Sequence, residues 1–202
     1  NSIGEPGTTL AYEFNDGKLL LGTMNDVLSL SFEECLSRHP SVLKILEKST
    51  FLVTVNWTMS PMVQEFWFYL LKQPKEMFSE HSLFIDFADP RKRPTEDLVH
   101  GIAMIQELSE RMNCYISLNL SEADALLSAF NEKPISSLEE KGFILSEHMP
   151  KTTLYIHTAH EVLGIKTGAM ERLQVPYTEK PFRLTGAGDM FNAGLLAALC
   201  EN

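Results

Sequence analysis

Arg183-Leu184-Thr185-Gly186-Ala187-Gly188-Asp189-Met190, followed by Phe191-Asn192-Ala193-Gly194, is the stretch on which the reading of this chain turns. Two glycines bracket an alanine and an acid follows at once. An apolar run to Cys200 then carries no proline and no charge after Asp189. Ala193, Gly194, Ala197 and Ala198 are small enough to let a helix lie close against a sheet. The pattern predicts a tight glycine turn opening into a buried helix. The first amides of such a helix have no partner within it. At the positive end of the helix dipole they suit an anion such as phosphate. A carboxylate beside an anion site can accept the proton of a hydroxyl that attacks a phosphoryl group. The competing reading is a plain tight connection. A dinucleotide site fits poorly, because Phe191 holds the third-glycine position and the turn comes late in the chain.

The 202 residues suffice for one sizeable core. With 44% hydrophobic and 22% charged residues the chain reads as globular. A formal net charge of -10 disfavours nucleic acid and anionic membrane surfaces as partners. A small phosphorylated ligand stays open, since amides and a metal can hold it. No apolar run approaches the ~20 residues that span a bilayer. Cys35, Cys114 and Cys200 are odd in number, lack metal-type spacing and sit in apolar segments. They read as reduced core thiols of a cytoplasmic protein. The chain starts at Asn1 and stops just after the predicted helix, so it is expected to be incomplete at both ends.

Upstream, Thr8 to Gly22 reads as a β-hairpin turning at Asn15-Asp16-Gly17. Ser31-Phe-Glu-Glu34 is a capping box, and Ser41 to Lys48 a second short helix. Phe51-Leu-Val-Thr-Val55 has the β-branched character of a strand buried on both faces. Ser60-Pro61 opens a helix carrying Phe66, Trp67, Phe68 and Tyr69, with Pro74 beyond its end. Leu83 to Phe87 is a strand running into Ala88-Asp89-Pro90-Arg91-Lys92-Arg93. Leu98, Ile102, Ile105, Leu108 and Met112 mark a helix from Glu96. Cys114 to Leu118 is a strand, followed by Asn119-Leu-Ser-Glu122, whose plain structural alternative is Ser121 capping a helix to Phe130. Ser136 to Glu140 offers two overlapping caps for a helix to about His148. Thr153 to His157 is a strand leading to Thr158-Ala159-His160, and Ile165 to Val175 is strand material broken at Gly168. His157 and His160 lack an evident third metal ligand. The alternation of strand and helix predicts a parallel sheet covered on both faces. Right-handed crossovers would bring Asn119, Thr158 and Gly186 to one edge.

Thr-Gly-Ala-Gly-Asp with Phe-Asn-Ala-Gly resembles the second signature of the PfkB, or ribokinase-like, carbohydrate kinases. The resemblance implies an α/β ribokinase-like (Rossmann-like) fold, with a parallel sheet, helices on both faces and a small β-hairpin lid. One domain spans 1–202, with the hairpin at 8–22 and the core at 50–202. It implies an anion hole at Gly186, Ala187 and Gly188 and a catalytic base at Asp189, which meets the substrate hydroxyl. Asn119 and Glu122 resemble the family's Asn-x-x-Glu motif, acting on Mg²⁺ through water. That suits a hard cation that keeps its waters. Asn119, Thr158, Gly186, Gly188 and Asn192 are the implied nucleotide contacts, with ATP as donor. Asp86 or Asp89 matches an Asp-Pro-x-x-Arg region. Arg183 and Leu184 depart from the family's usual Asp-Thr, which bears on its monovalent-cation site. The function implied is a carbohydrate kinase acting on a small-molecule sugar, and a homodimer is left open. A non-catalytic sugar or nucleotide sensor, or a nucleoside or vitamin kinase on the same fold, are the alternatives.

Overall fold

The computed structural model describes residues 4–14, 17–182 and 185–201. A hairpin comes first, β1 (Thr8–Phe14) and β2 (Gly17–Thr23), then helices α1 (Phe32–Arg38) and α2 (Ser41–Lys48). The main body follows as β3 (Phe51–Thr54), α3 (Pro61–Lys72), β4 (Ser82–Asp86), α4 (Thr95–Leu108) and β5 (Asn113–Asn119). It continues with α5 (Leu120–Ala129), α6 (Leu138–His148) and β6 (Thr152–His157). The chain closes with β7 (Glu161–Lys166), β8 (Ala169–Gln174) and α7 (Ala187–Glu201). The sheet has six strands in chain order from β3 to β8. β3 to β6 run parallel, β7 runs antiparallel to β6, and β8 runs antiparallel to β7.

Alternation along the strands sorts side chains between two faces. Leu83, Ile85, Cys114, Ile116, Leu118, Leu154 and Ile156 are buried on one face, in a single cluster with residues of α3, α4, α5 and α6. Trp67 of α3 donates from Nε1 to Thr54 Oγ1 at 3.3 Å, tying that helix to β3. Gly142 of α6 sits so close to β7 that a Cβ there would lie 3.0 Å from Ile165 Cδ1. The other face carries Asp86 and His157, and both touch α7. The expected α/β arrangement with helices on both faces is therefore present, alongside a separate two-stranded hairpin.

The structure corrects several expectations. The sheet is mixed, because the Thr158–His160 turn sends β7 straight back along β6, and Thr167 and Gly168, both at positive φ, turn the chain again into β8. β7 itself begins at Glu161, ahead of the predicted strand. β3 is not buried on both faces, since Val53 is 48% exposed. α7 is not a buried helix in this chain: among its described residues only Asn192 is buried. Of the cysteines only Cys114 is in the core, with Cys35 half-buried and Cys200 exposed. The cap of α5 is Asn119 rather than Ser121. In the hairpin Phe14 pairs with Gly17, so the turn falls on Asn15 and Asp16, which lie outside the described residues.

Candidate active site

Gly186 has φ +90°, a backbone conformation that glycine alone adopts without strain. Its carbonyl accepts the Met190 N–H at 3.0 Å and closes the first turn of α7. The N–H groups of Ala187, Gly188 and Asp189 precede that bond and have no acceptor within the helix. Asp189 is exposed, and its Oδ2 lies 4.0 Å from the point where a Cβ on Gly186 would stand. The carboxylate thus folds back over the turn instead of entering the core. Arg183 and Leu184, at the positions of the family's Asp-Thr, lie outside the described residues.

Asn119 ends β5 and caps α5. Its Oδ1 accepts from Glu122 N at 3.0 Å and from Ser121 Oγ at 2.8 Å. Glu122 answers with Oε2, which accepts Asn119 N at 2.9 Å, while its Oε1 accepts Asp89 N at 3.1 Å. The carboxylate is 6% exposed, and each oxygen keeps one lone pair beyond these bonds. Asn119 Oδ1 is filled by two donors, which leaves its Nδ2 as the group free to bind an anion. The residue that caps α5 also lines a cavity.

Asp86 ends β4 on the face beneath α7. Its Oδ1 accepts Ala88 N at 2.8 Å and its Oδ2 accepts Asn192 Nδ2 at 2.7 Å. Burial, and then the negative charges of Glu122 and Asp189, push its pKa above the ordinary carboxylate value against those two hydrogen bonds. Ala88 and Asp89 both adopt positive φ and aim successive amides at Asp86 and Glu122. Asp89 points elsewhere: Arg91 Nε donates to its Oδ1 at 2.7 Å, which holds its pKa down. Of the two acids weighed for this loop, Asp86 is the one joined to α7.

Asn119, Thr158, Ala187 and Gly188 line one cavity of about 580 Å³. The Phe191 and His157 rings meet there at a tilt of 35°, 4.6 Å between centroids, and Val162, Val175 and Pro176 add apolar walls. His157 is held below its ordinary pKa by burial, with Asp86 opposing. Thr158 Oγ1 accepts from His160 N and Glu161 N and donates to Glu161 O, so it also shapes its own turn. Asn119 and Thr158, expected at one sheet edge, therefore share this cavity with Ala187 and Gly188. Gly186 and Asp189 flank the lining residues in sequence. Asn192, expected to contact nucleotide, does not line the cavity: it is 6% exposed and turned to Asp86. Among the described residues no group of three or more His, Cys, Asp or Glu converges to hold a metal. None of their helices is long and apolar enough to cross a membrane.

Two contacts were beyond sequence reasoning. Thr185, just before the glycine turn, donates its N–H to Glu13 Oε1 of β1 at 3.2 Å, and its Oγ1 bonds the same oxygen. Asp86 and Asn192 meet across 106 positions. Neither pair has a local pattern to announce it.

Residues 1–202 match the family described as prokaryotic ketohexokinase. The chain is 24% identical over 209 residues to a ketohexokinase of Haloferax volcanii. That match covers 98% of this chain and 53% of the relative, so the chain spans about half the relative's length. Adenosine kinase from Schistosoma mansoni, in complex with adenosine, superposes with a TM-score of 0.66 at 15% identity. It covers 97% of this chain and 56% of that one. A PfkB protein from Polaromonas sp. JS666 gives 0.65 at 12% identity, over 98% of this chain and 61% of the other. These structural likenesses show the ribokinase-type fold.

Proposed function

The chain belongs to the prokaryotic ketohexokinase family, and on that premise we propose that the protein transfers the γ-phosphoryl group of ATP to a hydroxyl of a ketohexose. The observation that carries this reading is the exposed Asp189 in the first turn of α7, beside amides that share a cavity with Asn119. Asp189 accepts the proton of the attacking hydroxyl. The N–H groups of Gly186, Ala187 and Gly188 face the charge that spreads over the transferring group, where preorganised donors count most. Asn119 Nδ2 donates to a phosphate oxygen. The apolar walls and the His157–Phe191 pair suit the donor's base, with Thr158 at its rim.

Glu122 fits a magnesium ion held through water, because its two oxygens retain acceptor capacity and are hard ligands. The ion would neutralise charge on the β- and γ-phosphate oxygens. Asn119 Oδ1 does not fit as a metal ligand while it caps α5. The hairpin of Thr8 to Thr23 is assigned to the lid of the sugar site, continuous with a single domain over 1–202.

The test is ADP release with Mg-ATP across a panel of ketohexoses, aldohexoses and nucleosides. Ketohexose turnover is expected, and Asp189→Asn should lower kcat by ~10²–10⁴ while nucleotide still binds. Wild-type turnover by that variant removes Asp189 from its role. ATP or sugar binding without turnover in the parent protein favours the sensor alternative.

A further inference from the structure

Asp86 and Asn192 sit outside the reacting groups, yet they join the two halves of the site. Asp86 is the last residue of β4, and Asn192 is on the first turns of α7, three positions beyond Asp189. Their hydrogen bond, at 2.7 Å, runs from a helix that is otherwise mostly exposed to a carboxylate rooted in the sheet. The second oxygen of Asp86 is held by Ala88 N, and the next amide, Asp89 N, is held by Glu122. Glu122 in turn grips Asn119 N. A continuous line of bonds therefore runs from Asn119 and Glu122, through the left-handed Ala88-Asp89 turn, to Asp86 and Asn192. It sets how far the amides and carboxylate of the first α7 turn stand from Asn119.

We propose that the Asp86–Asn192 pair is a positioning clasp that fixes the base-bearing turn of α7 on the sheet, and that neither residue touches substrate. The proposal rests on the kinase reading for its kinetic consequence, though not for its structural one. Asn192 Oδ1 is buried without a hydrogen-bond partner, so only one edge of this amide is engaged. That detail separates the substitutions. In Asp86→Asn the new Oδ1 can still accept Ala88 N, and its Nδ2 can donate to Asn192 Oδ1 once the Asn192 amide turns over. The clasp survives without its charge. In Asp86→Ala or Asn192→Ala it is lost, and alanine at 192 suits a helix.

The experiment measures kcat, KM and hydrogen exchange on the full protein and four variants: the three above and the Asp86→Ala/Asn192→Ala double. A misplacement near 1 Å costs up to ~10²-fold in rate. Each alanine variant should therefore lose ~10–10²-fold in kcat, with KM for ATP nearly unchanged. The double should lose no more than one single, because both act through one bond. Asp86→Asn should stay within about threefold of the parent, by the same coupling logic. Met190, the first hydrogen-bonded amide of α7, and the helical amides that follow it should exchange faster in the alanine variants and not in Asp86→Asn. Additive kcat losses in the double, or unaltered exchange in both alanine variants, overturn the proposal. If the parent protein phosphorylates no sugar, the kinase reading fails and the exchange data alone decide the clasp.

Discussion

Thr185 donates its backbone N–H to Glu13 Oε1 at 3.2 Å, which ties the hairpin to the residue that precedes the glycine turn, 172 positions away. The hairpin buries none of its described side chains, so this contact matters to its placement. Glu13→Ala removes bonds to a charged acceptor worth about 1 kcal/mol at an exposed site. Proteolysis within the hairpin should quicken several-fold, and KM for the sugar should rise by a similar factor. Unchanged protease sensitivity would show that the hairpin is held elsewhere.

Glu122 serves two backbone amides, one on each oxygen. Glutamine keeps only one acceptor, so Glu122→Gln strands a part-buried N–H at a cost of ~1–3 kcal/mol. The melting temperature should fall by roughly 2–12 °C in a chain of this size. The same change should raise the magnesium concentration needed for half-maximal turnover. A variant with parental Tm and parental magnesium dependence would contradict both roles.

Asp86 has a pKa raised above its ordinary 3.8, chiefly by burial and next by Glu122. The folded protein then binds this proton more tightly than the unfolded chain. The stability linked to it is fully present below the unfolded value and is lost as pH rises through the folded one. Asp86→Asn removes the buried charge. Relative to the parent, its melting temperature should therefore gain more at about pH 7 than at about pH 4. Thermal melts across that range check the sign, and a gap that widens on acidification would be the contrary result.

Cys114 lies in the core with its thiol pushed up to about 12 by burial, whereas Cys200 is exposed on α7. Near pH 8 the Cys114 thiolate fraction is ~10⁻⁴, before access is considered. A thiol reagent should modify Cys200 rapidly and Cys114 only on unfolding. Mass spectrometry of the labelled native protein reads this directly. Prompt native labelling of Cys114 would mean that β5 opens locally.

Local signals served well wherever the chain's chemistry is short-range. The Ser31 and Ser137 caps hold because each hydroxyl meets an amide three residues on. Thr-Gly-Ala-Gly-Asp announced a turn because Gly186 alone there adopts a positive φ. Asn119-x-x-Glu122 was legible as a motif, though its own capping box and the filled Oδ1 needed coordinates. β7 was missed at its start because Glu161 and Val162 follow a polar turn, whose order comes from Thr158 Oγ1.

The sequence by itself determined the alternating α/β core with its parallel β3 to β6, the glycine turn with its acid, and the order of the motifs along the chain. Periodicity and backbone sterics act over a few residues, and each of these features is written at that range. Tertiary structure alone decided that Asp86 rather than Asp89 meets α7, that Asn192 faces inward, and that Glu13 reaches Thr185. Those contacts depend on how distant elements pack and on which charge each buried group must offset. No window of neighbouring residues contains that information.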